Sequence, residues 1–225
     1  MNAPGQLTAA VEDYTKAIYA LAERSPEGVV SMNAIAARQS VAPASASNMV
    51  KRLHELGLVE HERYRGVTLT AAGTRVALET IRHHRLLELY LAESLGVPWD
   101  RVHDEAEVLE HVLSDELEEL IAAKLGNPTH DPHGDPIPTR EGRVEERETI
   151  SLDTAPSGSC GAFVRISDAD PAMLRYLAKQ GIAPGDRFEV VEHQPFGGPA
   201  FVRFGDEVHV VGGELARAMR VEVDK

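Results

Sequence analysis

"VAPASASNMVKRLHELGLVEHERYRGVTLT", residues 41–70, decides the fold of the first third of the chain. Pro43 marks a turn, Ser45 offers a cap, and apolar residues then recur at helical spacing until Gly57. On a helical wheel Ala46, Met49, Val50 and Leu53 share one face, and Ser47, Asn48, Lys51 and Arg52 share the other. Two short β-prone stretches follow, separated by Arg63-Tyr64-Arg65-Gly66, and read as a hairpin with Val67 and Leu69 on one side. Upstream, Val11, Tyr14, Ile18 and Leu21 give a helix over residues 8–24 with Thr8 as N-cap, and Ser31 opens a short helix over 31–40. Helix, helix, turn, helix, hairpin is the order of a winged helix-turn-helix. The polar face offers hydrogen-bonding side chains for base edges and cations for phosphates, and Arg63 and Arg65 stand at the wing tip to reach a phosphate or the minor groove. A small helical domain with a solvated face is the alternative that these residues leave open.

The net charge of −13 argues against a nucleic-acid binder when taken whole, but its distribution does not. Residues 1–75 hold 8 Lys/Arg against 7 Asp/Glu, whereas residues 76–126 hold 4 against 12. The acidity lies downstream, so the N-terminal third is free to approach a polyanion. With so little excess positive charge, sequence-independent affinity is expected to be weak, and a second factor has to license binding. A single cysteine, Cys160, excludes an internal disulfide and suits a reducing, cytoplasmic compartment. The N-terminus has neither the basic nor the apolar region of a signal peptide, and no apolar run is long enough to span a membrane.

Further along, residues 71–96 and 101–126 each read as one long amphipathic helix, ending at Gly96 and Gly126. Residues 127–142 are rich in proline and cannot continue a helix; a charged, mobile run follows to about 150. From about 158, short β-rich segments with one helical interruption, "PAMLRYLAKQG", predict a small all-β barrel. The expected boundaries are 1–72 for the DNA-binding domain, 73–142 for a helical domain, 143–157 for a linker and 158–225 for the β module.

The second helix of the acidic region begins with "HDEAEVLEH", residues 103–111. At about 100° per residue, His103, Glu107, Glu110 and His111 fall in one arc that borders Ala106, Leu109 and Leu113. Carboxylates and imidazoles beside a core are costly unless a cation neutralises them. His84 and Glu88 repeat the arrangement at i, i+4 on the preceding helix, and Asp13 is available from the first. Such a set, without thiolates, suits Mn²⁺, Fe²⁺, Co²⁺ or Zn²⁺. Asp104 and Glu105 are assigned to the helix N-terminus. His83, His130 and His133 are read as structural or solvent-facing.

Taken together, "EDYTKAIYAL", the winged helix, "RHHRLLELYL", "VHDEAEVLEHVLSDELE", "GDPIP" and the C-terminal module resemble the DtxR/MntR metal-dependent transcriptional repressors over essentially the whole chain. The resemblance implies a mainly α protein with a C-terminal all-β module: a winged helix-turn-helix, a helical dimerisation and metal-binding domain, and an SH3-like, FeoA-type small barrel. It implies a homodimer with two divalent ions per subunit that binds a double-stranded DNA operator and represses metal-uptake genes. By position, Asp13, Glu107, Glu110 and His111 look like the primary regulatory site. His84, Glu88 and His103 look like the second, completed by Asp170 from the third domain, with Met173 where a harder donor is usual. Ser45, Ser47 and Asn48 fall where the recognition helix meets bases.

The iron-sensing branch carries methionine where this chain has Asp13 and cysteine where it has Glu107, so the resemblance points to the manganese branch, with Mn²⁺ as co-repressor. Lys16 stands where two-domain manganese sensors have a glutamate. An iron-dependent repressor is the near alternative. A dinuclear metalloenzyme on a helical bundle is the remote one: Ile81, Asp100 and Val108 stand three before His84, His103 and His111, so the paired Glu-x-x-His pattern is missing.

Overall fold

The computed structural model describes residues 7–62 and 65–224. Arg63, expected at the wing tip, lies outside them. The chain divides into two compact units, and each is described by itself.

The first unit comprises Met1–His84, Val108–Asp115 and Pro138–Arg143. It opens with α1 (Ala9–Ala22), α2 (Met32–Arg38) and α3 (Pro43–Glu55). Strands β1 (Val59–Glu62) and β2 (Gly66–Leu69) follow and pair antiparallel, with Glu62 opposite Gly66. Ser31 caps α2 by accepting from the Ala34 amide, as its position suggests. Pro43 is not the turn before α3. It is the first helical residue, where its missing N–H costs nothing and its fixed φ suits the helix. Ile18, Ile35, Ala46, Val50, Leu53 and Val67 form the centre of the core, so α3 turns the expected face inward. Gly66 has a φ of +122°, and a Cβ there would meet the Val30 carbonyl at 2.8 Å, so only glycine lets β2 run this close to Val30.

Helix α4 (Ala71–Leu95) is unbroken and passes from the first unit into the second at His84. The expected single helix over 101–126 is two: α5 (Val102–Leu109) and α6 (Asp115–Lys124). Ser114 followed by Asp115 and Glu116 is the residue order that starts a helix, and the chain turns at 110–114 to use it.

The second unit comprises Arg85–Glu107, Glu116–Ile137 and Val144–Lys225. Its sheet contains β3 (Ile150–Ser151), β4 (Cys160–Ile166), β5 (Arg187–His193), β6 (Ala200–Phe204), β7 (Glu207–Val211) and β8 (Met219–Val223). The spatial order is β3-β8-β4-β5-β6-β7, antiparallel throughout. This corrects the expected barrel. The sheet is open, because among the described residues β7 pairs only with β6, and the two-residue β3 pairs only with β8. Irregularities at Phe163/Arg165 and Val190/Glu192 bend the sheet without closing it. Helix α7 (Pro171–Gln180) and the short α8 (Gly213–Ala218) supply Leu174, Leu177 and Ala216 to a core around Phe163, Ile166, Val202 and Met219. Leu152 and Ala155 are buried in the same core. Among the described residues, no helix is long and apolar enough to cross a membrane.

One position in this unit is tightly constrained. Gly134 has a φ of +86°, and a Cβ there would lie 1.9 Å from the Val164 carbonyl oxygen. Gly134→Ala is therefore expected to cost about 3 kcal/mol or more, through backbone strain together with a forced shift of β4. Urea denaturation measures it.

Candidate metal centre

In the first unit, the buried face of α1 carries Val11, Tyr14 and Ile18, which leaves Glu12, Asp13 and Lys16 at its border. The turn after α5 brings Glu110 and His111 to this border. His111 Nε2 lies 3.0 Å from Asp13 Oδ1 and 3.6 Å from Glu110 Oε1. One donor atom from each of Asp13, Glu110 and His111 falls within 4.8 Å of the others. On the far side of the ring, His111 Nδ1 lies 2.6 Å from Glu12 Oε2. With Nδ1 donating to that carboxylate, the neutral ring has the Nε2 lone pair to offer an ion beside Asp13. Glu12 is a member of the site that sequence reasoning missed.

The Glu110 side chain is fully buried and has accumulated partners. Lys16 Nζ donates to both of its oxygens at 2.9 Å, and His84 Nδ1 contacts Oε2. His83, read from sequence as uninvolved, is buried with its Nδ1 3.2 Å from the Glu110 carbonyl oxygen. The structure thus places His84, expected in the second set, in contact with Glu110.

In the second unit, Glu88 on α4 and His103 on α5 meet Asp168 from the loop between β4 and α7. His103 Nδ1 lies 2.9 Å from Asp168 Oδ2 and 3.4 Å from Glu88 Oε1. Hydrogen bonds to Asp168 and Glu88 push the His103 pKa up to about 10, against a desolvation that lowers it. Burial opposes charge on Asp168, but its bond to His103 prevails and holds the carboxyl below its usual range. Taking up a cation here has to release the His103 proton. His84 stands one helical turn before Glu88 on α4.

One expected member, Asp170, is engaged differently. Asp170 caps α7, accepting from the Ala172 amide at 2.8 Å, so the third-domain carboxylate at His103 is Asp168. Glu107 belongs to this unit and lies 3.8 Å from His103 Nε2. Met173 packs beside the C-terminal core.

His133 is the second group that sequence reasoning missed. It is buried, stacked on Trp99 with centroids 5.7 Å apart, and its Nε2 is 3.8 Å from Glu88 Oε1. Neither ring nitrogen has a hydrogen-bond partner among the described residues. Nearby, burial and the charges of Asp135 and Glu88 raise the Asp131 carboxyl well above its usual range. Asp131 is neutralised by Arg85, 3.6 Å away, whereas the buried Glu88 with His103 and Asp168 fits a bound cation, which would offset desolvation costs of several kcal/mol per ion. Two groups of side chains per chain are thus suited to a divalent ion.

On α3, Ser45, Ser47, Asn48, Lys51 and Arg52 are all exposed, opposite buried Ala46, Val50 and Leu53. Arg65, also exposed, pairs with Glu62 at 3.1 Å. Nothing on the described surface covers this polar face.

Comparison with known proteins extends over all three parts. Residues 6–67 match the iron dependent repressor N-terminal DNA binding domain, 70–139 its metal binding and dimerisation domain, and 150–223 the FeoA domain. The iron-dependent repressor IdeR of Mycobacterium tuberculosis is 33% identical over 230 residues, spanning 96% of this chain and 98% of that protein. The diphtheria toxin repressor of Corynebacterium efficiens is 32% identical over 222 residues, 94% of each. A solved structure of a manganese-dependent transcriptional repressor in complex with manganese is 42% identical, with a TM-score of 0.86 over 95% of this chain and 99% of that one. With an exposed recognition face on α3, two carboxylate–imidazole clusters and relatives of full length, the chain belongs to the DtxR-type, iron-dependent repressor family of DNA-binding, metal-sensing transcriptional repressors, and is not an enzyme.

Proposed function

We propose that this repressor takes Mn²⁺ as its co-repressor, acts as a cytoplasmic homodimer on a double-stranded DNA operator, and controls metal-homeostasis genes. The observation that carries the reading is the donor set at α1: Asp13, Glu110 and His111 offer oxygen and nitrogen and no sulfur. Such donors favour a harder ion than a methionine- and cysteine-bearing set would. Glu107, one turn before Glu110, is a further candidate donor, and Glu88, His103, Asp168 and His84 are candidates for a second ion. The relative that binds manganese, at 42% identity, stands beside iron-dependent relatives at 33%, so Fe²⁺ activation is the second reading. Co²⁺ or Zn²⁺ would be accepted by the same donors, and selectivity then rests on geometry and supply.

Asp13 on α1 with Glu110 and His111 in the turn would hold the divalent ion, which would supply positive charge there. The protein's own residues do the rest. Asp13 is fixed on α1, which packs against α2 and α3. Holding α1 against His111 therefore holds α3, where Ser45, Ser47 and Asn48 would face bases and Lys51 and Arg52 phosphates, with Arg65 and, from its place in the sequence, Arg63 as further phosphate contacts from the hairpin. In a dimer, two such helices must match successive major grooves, so restricting α1 restricts their spacing. In this division, residues 1–72 read DNA and residues 73–142 dimerise.

The test is a DNA-shift titration of metal-free protein on its own promoter region, adding Mn²⁺ or Fe²⁺ anaerobically. Mn²⁺ is expected to drive binding at the lower concentration, and equal binding in chelator would sink the co-repressor reading. In the same assay Asp13→Met is expected to raise the Mn²⁺ requirement by about tenfold or more, as loss of a hard donor should, and the Fe²⁺ requirement by less.

A further inference from the structure

Lys16 is the only described lysine whose ammonium is held inside a candidate metal cluster. It follows Asp13 by three residues, so α1 presents the two on neighbouring positions. Its Nζ lies 2.9 Å from both Glu110 oxygens and 3.2 Å from His84 Nδ1. Glu110 is fully buried, and a carboxylate in that position needs a counter-charge whatever else the site holds. The same two oxygens are the donors that Glu110 has to offer an ion beside Asp13 and His111. An ammonium and a divalent ion cannot both take both oxygens, and they repel each other at this distance.

We propose that the Lys16 ammonium is a tethered cation that neutralises Glu110 in the metal-free protein and has to be displaced for an ion to bind, so that Lys16 sets the metal concentration at which the repressor responds. The proposal rests on the assignment of Asp13, Glu110 and His111 as a metal site. It gives Lys16 two opposed effects. The lysine stabilises the metal-free fold by satisfying Glu110, and it weakens metal capture by competing for the same lone pairs. A merely structural lysine would have the first effect without the second.

The experiment measures Mn²⁺ binding by equilibrium dialysis, and thermal unfolding in chelator, for the full chain and for Lys16→Gln. Lys16→Gln is expected to bind Mn²⁺ about tenfold more tightly, the equivalent of one hydrogen bond to a charged group no longer lost on binding. Its midpoint in chelator is expected to fall, and the rise in midpoint on adding Mn²⁺ to grow. Unchanged or weaker Mn²⁺ binding by Lys16→Gln, with the unmodified chain still binding, overturns the role of Lys16 alone. Absence of Mn²⁺ binding in both proteins overturns the metal-site assignment with it. Should Lys16→Gln not fold, amine-reactive labelling of the unmodified chain decides: Lys16 is expected to label faster with Zn²⁺ than with chelator, and equal rates overturn the proposal.

Discussion

Glu110→Gln is expected to abolish metal-dependent operator binding while leaving the protein folded. The side chain keeps its shape, so the packing around it survives. What it loses is the charge on which Lys16, His84 and the proposed ion all converge. Losing a group that only orients a metal ligand costs a site about 10–100-fold, so loss of a buried donor carboxylate should weaken Mn²⁺ binding by more than about 100-fold. Equilibrium dialysis should show one ion per chain lost at concentrations that fill the unmodified site, and the DNA shift should no longer respond to Mn²⁺. Retention of the response would remove Glu110 from the regulatory site. In the metal-free protein Lys16 is left with an amide as partner; being partly exposed, it can turn to solvent, so the change in unfolding midpoint should be small beside the change in metal affinity.

The second large effect is expected from Val112→Asp. Val108 and Val112 are 71% and 73% exposed, an unusual cost for two valines beside a candidate site in the same unit. In the other unit Leu117 and Leu120 are likewise exposed. Large apolar side chains left this exposed at Val108 and Val112 are candidates for an association surface. Because the residue is in solvent in the protomer, the substitution should change protomer stability by no more than about 0.5 kcal/mol. In an isologous dimer it enters the interface twice, and a charge buried there without a partner costs about 2–5 kcal/mol per copy. Sedimentation should give a monomer, and operator affinity should fall by at least about 100-fold even with saturating Mn²⁺, because a single recognition helix reads only one half-site. A dimer of unchanged strength would place the interface elsewhere.

The parts of the fold legible in the sequence are those set by local periodicity. Ala46, Val50 and Leu53 recur at helical spacing, and the structure buries them while leaving Ser47, Asn48, Lys51 and Arg52 outside. The break between α5 and α6 was not legible, because apolar residues continue through it (Leu109, Val112, Leu113), and only Ser114-Asp115 marks a new start. Sheet closure was not legible either. Whether β3 and β7 meet depends on the long-range path of the chain, and β-rich stretches separated by turns are common to open and closed sheets.

The candidate site divides along the same line. His103, Glu88, Glu110 and His111 announce themselves as donors clustered on amphipathic segments. Asp168 and Asp170 differ by two residues, and what separates them is that Asp170 serves the amide of Ala172 while Asp168 reaches His103. His133 gave no periodic signal, since it sits in a proline-rich turn; its burial against Trp99 is a purely tertiary fact. Lys16 was visible as a departure from a relative's pattern, but its grip on both oxygens of Glu110 was not.

The turn at 110–114 bears on how quickly such a sensor can reset. Donors in the middle of a helix give up a ligand only by side-chain rotation or by unwinding the hydrogen-bonded ladder around them. Glu110 and His111 lie just past the last turn of α5 instead, outside its hydrogen-bonded ladder. Loops rearrange on the nanosecond-to-microsecond scale, about a thousandfold or more faster than collective helix shifts that reach milliseconds. If these residues hold the ion, its release requires no unwinding of α5, as suits a switch that must follow a fluctuating supply.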